Sequence, residues 1–389
     1  MRIGYSYWGF LGDQKLDANG KELSTPDGNA TYSWAILHEA LRRRHDVYAM
    51  QEDRDEPAYD KLGLANFNAF SRWNRCSAYG LTKQTVGTDN EFPELDVLLL
   101  EWRMPIIGRN CERAGDGFLY YDPKIHQPDW ERQRQLLDHY GSKDTKIIVW
   151  DLDHKFMESD ELESECDAIF ETSARPRRFT MDRISVEFPT LVRDLLQYPT
   201  KSADLRQKLV YIGSRYERDD VITEWIKPAS ERFPGMVWFY GNWLKSLDEC
   251  KKLWPCVNYQ DRITTSGFRE AYGEAVACPL LAKRSYLETG FITPRPYEAL
   301  LFGTLPIGLK THLGVERYVL PGHIAESGEH MVELVEEMSN YAYHVRDMFR
   351  RNNVEQLEFM DAKYFVDKIE DVVSKTLTQE RGTEDGKTR

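Results

Sequence analysis

Short apolar runs alternate with amphipathic stretches along most of this chain. Arg2 to Tyr7 reads as a first strand, followed by a loop holding Gly9 and Gly12 and a long polar excursion. Tyr32 to Arg44 has helical spacing, with Trp34, Ile36, Leu37 and Leu41 on one side, and Asp46 to Met50 returns as a strand. Asp96 to Leu100, Lys146 to Trp150 and Ala168 to Phe170 are further strands, with a helix between Asp129 and Tyr140. A polar stretch from Gln197 to Lys208 marks a linker, after which the alternation restarts. Strands are predicted at Leu209 to Ile212, Met236 to Tyr240, Cys256 to Tyr259 and Leu280 to Ala282. Helices are predicted at Val221 to Arg232, Trp243 to Leu253 and Phe268 to Val276. Val332 to Leu377 is helical and Thr378 to Arg389 is a polar tail.

Alternation of this kind means α/β architecture, with parallel sheets covered on both faces. Two successive doubly wound units, residues 1–200 and 201–353, account for it, with 354–389 as a closing helix and tail. Ligands are then expected at the carboxyl ends of the strands. The length of 389 residues independently favours two cores over one. A formal net charge of −13 disfavours whole-molecule attraction to nucleic acid or anionic membrane and leaves a local basic groove open. No stretch approaches the roughly 18 apolar residues that span a bilayer, and the N-terminus lacks the pattern of a secretory signal. Six cysteines without a C-x-x-C pair fit free thiols in a reducing cytoplasm.

The most informative segment is Gly290 to Gly308, GFITPRPYEALLFGTLPIG. It reads as a polar loop, a helix starting at Thr293-Pro294 and carrying Arg295 and Glu298, then Gly303 and a buried strand. Pro296 fits because it falls in the first helical turn. Helix N-termini favour anions through unpaired N–H groups and the helix dipole, and Glu298, one turn on, suits a ribose diol. The competing reading is a surface ion pair between Arg295 and Glu298 at i,i+3. Upstream, VYIGSRYERDD gives a strand, a turn at Gly213 and a helix start with Arg215 and Arg218, whose planar forks match phosphate geometry. Lys283 and Arg284 add cations just before the Gly290 segment.

Thr293, Arg295, Tyr297, Glu298, Ala299, Gly303, Thr304 and Pro306 form the pattern T-x-R-x-Y-E-A-x-x-x-G-T-x-P. This resembles the nucleotide-sugar motif of GT-B glycosyltransferases, nearest the branch that includes spore-coat CgeB-like proteins. The resemblance covers the C-terminal half and, more weakly, residues 1–200. It implies two Rossmann-like domains facing a cleft and a final helix crossing back to the first. It also implies a nucleotide-diphosphate sugar as donor, a UDP-sugar, with retention at the transferred carbon. Glu298 would hold the ribose, while Gly213, Arg215, Arg218, Lys283, Thr293 and Arg295 would hold the nucleotide and diphosphate. No metal is then required. Many retaining members carry two glutamates separated by seven residues. Here the position eight before Glu298 is Gly290, and Glu288 is two residues off.

IIVWDLDHKF places Asp151, Asp153 and His154 after a buried strand. Read alone, D-x-D there points to a divalent cation and a single-domain GT-A enzyme. In the two-domain reading the same loop faces the cleft from the acceptor side, where Asp153 and His154 are candidates for orienting the donor sugar or acceptor; a structural strand-end acid is the competing reading. Asp27, in TPDGNATYSW, is a candidate base or hydroxyl acceptor and equally a cap for the helix that follows. Glu101, after a strand, is a similar wall candidate. Arg42–Arg44, Arg72, Arg75 and Arg175–Arg178, with Trp8, Trp73 and Trp102, offer an aromatic-basic groove for DNA. Phage enzymes that glycosylate hydroxymethylated bases share the GT-B architecture, and a flipped base needs such a pocket. A non-catalytic nucleotide or polyanion-binding module is the alternative from a different class.

Overall fold

The computed structural model describes residues 1–6, 15–16, 22–24, 30–50, 68–69, 92–102, 133, 135–152, 165–174, 183–192, 205–263 and 265–384. The first sheet is built from β1 (Arg2–Ser6), β4 (Asp46–Ala49), β5 (Asn68–Ala69), β6 (Val97–Trp102), β7 (Lys146–Asp151), β8 (Ala168–Thr172) and β9 (Arg183–Val186). Their order is β5-β4-β1-β6-β7-β8-β9, and every pairing is parallel. The short hairpin of β2 (Lys15–Leu16) and β3 (Glu22–Ser24) stands apart from it. Helix α1 (Ala30–Arg42) turns Tyr32, Ala35, Ile36, Leu37 and Ala40 into the core. β6, VLLLEW, is buried along its whole length, as a central parallel strand covered on both faces must be.

The second sheet has the order β12-β11-β10-β13-β14-β15, again all parallel. Its strands are β10 (Gln207–Ile212), β11 (Val237–Tyr240), β12 (Val257–Gln260), β13 (Ala275–Pro279), β14 (Leu305–Leu309) and β15 (Ile324–Ala325). Between them run α2 (Asp219–Trp225), α3 (Lys227–Arg232), α4 (Leu247–Leu253), α5 (Thr265–Gly273), α6 (Arg284–Thr289) and α7 (Arg295–Leu301). The chain then continues through α8 (Gly328–Ser339), α9 (Tyr343–Gln356) and α10 (Ala362–Glu384).

Three local expectations shift. The helix expected over Val221 to Arg232 is two, meeting at Ile226, because Pro228 lies in the first turn of α3 and cannot continue the α2 hydrogen-bond ladder. The segment from Trp243 opens as a 3-10 turn, Asn242–Ser246, before α4. The strand expected at Leu280 to Ala282 lies earlier, at Ala275–Pro279, where AVACP is fully buried between β10 and β14. β9 escaped notice because RISV is a half-exposed edge with little apolar signal.

The chain crosses between the sheets at a 3-10 turn, Leu357–Met360. Thr190 N–H donates to Met360 O at 2.8 Å, and Ala362 N–H donates to Thr190 O at 2.9 Å. Helix α10 then lies on the first unit: Phe365 packs on Trp150 with ring centroids 4.8 Å apart. Arg43 pairs with Asp367 at 2.6 Å and with Glu370 at 2.9 Å. The carboxyl ends of the two sheets face each other. Ala174, just past β8, donates to Gly290 O, and Glu187, just past β9, accepts Tyr318 Oη and Arg317, each at 2.6 Å. One buried apolar cluster runs through both units.

Candidate functional site

In the second sheet β10 has β11 on one side and β13 on the other, so the crossovers leave it in opposite directions. The crevice at the carboxyl ends of these strands is the topological switch point of the sheet. β10 is followed by Gly213, whose N–H donates to Tyr240 O at 2.9 Å and whose carbonyl accepts Trp243 Nε1 at 2.8 Å. Gly241, at the end of β11, has φ +147°, and a Cβ there would strike the Gly213 carbonyl oxygen. Only glycine fits that interlock.

Arg295 opens α7 and reaches across the switch point. Its Nε donates to Ile212 O at 3.3 Å and its Nη1 to Leu281 O at 3.0 Å, which ties the ends of β10 and β13 together. The guanidinium carbon lies 4.7 Å from the Tyr211 ring centroid. Its Nη2 stands 3.0 Å from the point where a Gly213 Cβ would sit. Glu298 follows one turn later, its N–H bonded to Pro294 O at 3.0 Å. Beneath it lie Tyr272 and Cys278. Burial raises the Tyr272 hydroxyl well above its usual value and pushes the Cys278 thiol up to about 12, so both stay neutral. Thr293 sits partly exposed at the mouth, anchored by buried Phe291 and Ile292.

The remaining cations of the loop are held to different degrees. Arg215 is clasped by Asp219, with Nε to Oδ1 at 2.8 Å, and by Glu249 at 2.6 Å. Arg218 is buried at the start of α2, with Nη1 on Tyr216 O at 2.6 Å, and makes no ion pair among the described residues. Lys283 pairs with Glu217 at 3.5 Å and lies over the Tyr286 ring at 4.3 Å. It thereby links the loop after β10 to the loop after β13.

On the opposite wall the switch point of the first sheet lies between β1 and β6. Glu101, at the end of β6, is buried and accepts Tyr32 Oη at 2.6 Å. Asp151 is buried too, paired with Arg183 at 3.3 Å, and the same Arg183 contacts Glu171. That ion triad, and the two separate sheets, take Asp151 out of the single-domain cation-binding reading. Asp27, Asp153 and His154 lie outside the described residues, as do Trp8, Arg72, Trp73, Arg75 and Arg175–Arg178. Three members of the expected aromatic-basic groove are structural instead. Trp102 is fully buried, and Arg42 and Arg43 grip Glu39, with Arg43 reaching on to α10.

Gly290 explains the missing glutamate. It caps α6 in a left-handed conformation, φ +71°, and a Cβ would lie 2.5 Å from Ala174 Cβ and 2.7 Å from Leu313 O. The sequence offered no sign of Arg346 and Arg350. Both are buried in α9, donating to Val276 O at 3.0 Å and Leu300 O at 2.8 Å. Charged residues inside a helical stretch normally read as its wet face. Where the units meet, a cavity of about 240 Å³ is lined by Glu187, Arg317, Phe359, Asp361, Tyr364 and Lys368, among others. Among the described residues no cluster of three or more His, Cys, Asp or Glu is placed to hold a metal ion, and no helix is long and apolar enough to cross a membrane.

No family model and no curated protein matches the sequence. Solved structures do match. T4 phage BGT in complex with UDP and Mn2+ superposes with a TM-score of 0.55 at 12% identity, over 96% of this chain and 99% of that one. T4 phage BGT in complex with its UDP-glucose substrate gives 0.54 at 12% identity, with the same coverage. An alpha-glucosyltransferase in complex with UDP and a 13-mer DNA gives 0.54 at 15% identity, over 96% of this chain and all of that one. At such identities the likeness is one of fold: two Rossmann-like units of the GT-B type, with a helix crossing back.

Proposed function

We propose that this chain is a glycosyltransferase that moves a sugar from a UDP-sugar to a hydroxyl of a hydroxymethylated base in DNA. The observation that carries the reading is the placement of Arg295 and Glu298, one turn apart on α7, at the switch point of the second sheet. A cation there suits a diphosphate and a carboxylate one turn on suits a ribose diol. Support for donor and acceptor comes from the fold neighbours, described with UDP, with UDP-glucose and with DNA containing an HMU base.

In this reading Arg218 and the Gly213 turn receive the diphosphate with Lys283, Thr293 and Arg295. Arg215 joins them by exchanging Asp219 and Glu249 for phosphate oxygens. The cations stabilise the charge that builds on the leaving diphosphate, so no metal is required, and full transfer in excess EDTA is the expected result. Asp27, Asp153 and His154, with Glu101, belong to the acceptor wall. The leaving diphosphate assists deprotonation of the acceptor hydroxyl, and transfer retains the anomeric configuration, which the product's anomeric proton coupling reads directly. Residues 1–200 serve the acceptor, 201–353 the donor, and 354–389 form the crossing helix and tail. A reducing cytoplasm fits the free thiols Cys166, Cys250, Cys256 and Cys278.

The test is titration of UDP into the parent and into Glu298→Ala, with transfer of labelled sugar to hydroxymethylated DNA followed in parallel. The variant should keep its melting temperature and lose most UDP affinity. Equal affinity in both proteins would sink the donor assignment, and UDP binding without transfer would leave a binding module.

A further inference from the structure

Helix α7 has seven residues, and no side chain caps its N-terminus. So short a helix has little stability of its own. What holds it in place comes from behind. Arg350 of α9 donates Nε to Leu300 O at 2.8 Å, on the last turn of α7. One turn earlier, Arg346 sends Nη2 to Val276 O at 3.0 Å and Ala275 O at 3.4 Å in β13, and reaches Gly303 O at 3.5 Å just past α7. Both arginines are buried, Arg346 at 8% and Arg350 at 1% exposure, and burial pushes Arg346 down to about 10. Burying a cation costs several kcal/mol unless it is well partnered. Here the partners are carbonyls at the C-terminal end of α7, where the helix dipole is negative, and at the start of the strand that carries Cys278.

We propose that Arg350 and Arg346 are positioning residues for the donor site: they set the axial placement of α7, and through it Glu298 and Arg295 against the switch point. The proposal rests on the UDP-sugar reading for its consequence, not for its geometry. Glu298 lies two residues before the gripped Leu300, so a slip of α7 moves the carboxylate directly. α9 also runs straight into the Leu357–Met360 crossing. The element that holds the donor helix is therefore the one that leads to the first unit.

The experiment compares Arg350→Met, Arg350→Lys and Arg346→Met with the parent, reading UDP affinity by calorimetry and amide exchange along α7 and at the two residues that close its last turn. Arg350→Met should weaken UDP about tenfold, the scale of one hydrogen bond to a charged group. It should also speed exchange at Phe302 and Gly303, while Arg350→Lys recovers part of both. In a Glu298→Ala background the same change should cost less affinity than it does in the parent, because only the placement of Arg295 is left to lose. A lowered melting temperature with parental UDP affinity and parental α7 exchange would overturn the proposal, as would an equal loss in both backgrounds. Should Arg350→Met fail to fold, Arg350→Lys carries the same comparisons. A parent that binds no UDP would overturn the donor reading alone, because α7 exchange still decides the positioning role.

Discussion

Arg295 Nη1 donates to the main-chain oxygen of Leu281 at 3.0 Å, and by doing so one side chain bridges the two central strands of the second sheet. The residue predicted to hold phosphate is thus first a clamp, with two of its three nitrogens committed to carbonyls. A lysine cannot serve two carbonyls in that fork geometry. Arg295→Lys should lower stability by about 1–3 kcal/mol, because a buried carbonyl loses its donor, and should weaken UDP binding with it. Thermal unfolding and calorimetry read both; a parental melting temperature would mean the bridge is not made.

Gly241 is a backbone requirement. Its φ of +147° and its contact with the Gly213 carbonyl leave no place for a methyl group. Gly241→Ala should therefore cost about 1–3 kcal/mol in chemical denaturation and abolish the alignment of the Gly213 turn. Gly235→Ala is the control: its φ is +76° but nothing lies within 4 Å of the added methyl, so the loss should be the smaller of the two.

Restoring a glutamate eight residues before Glu298 should not raise activity. Gly290→Glu places a side chain against Ala174 and the Leu313 carbonyl at a left-handed φ, which separates the two units where they touch. Transfer should fall and small-angle scattering should show a wider particle. Enhanced transfer would show that the position is catalytic rather than a contact.

Two buried histidines set an acid limit. Burial pushes His312 and His323 down to about 4, from an ordinary value of 6.5. Both are neutral in the fold, while the unfolded chain takes up protons below pH 6.5. Their contribution is fully present above about pH 6.5 and is lost as pH falls toward 4, on the order of 3 kcal/mol each. His323→Phe, packed between Tyr341 and Phe349, should flatten the fall of melting temperature over that window. An unchanged slope would refute the assignment.

The alternation of apolar runs made the two doubly wound units and most of their strands legible, because a parallel strand buried on both faces must be nearly all apolar. The turn at Gly213, the helix with Arg295 and Glu298 and the strand after Gly303 were legible for the same kind of reason, since prolines, glycines and periodicity act locally. What those residues hold was decided by packing. Arg295 finds Ile212 and Leu281, 83 and 14 residues away, and Arg350 finds Leu300 from 50 residues away. Asp151 meets Arg183, and Trp102 goes into the core. Hydrophobic period and turn chemistry depend on neighbours in the chain, so the sequence by itself determined the elements. Burial of a charge and the partner that satisfies it depend on neighbours in space. The clamp at the switch point, the supporting pair in α9 and the contact that leaves no room for a side chain at position 290 were therefore decided only in the tertiary structure.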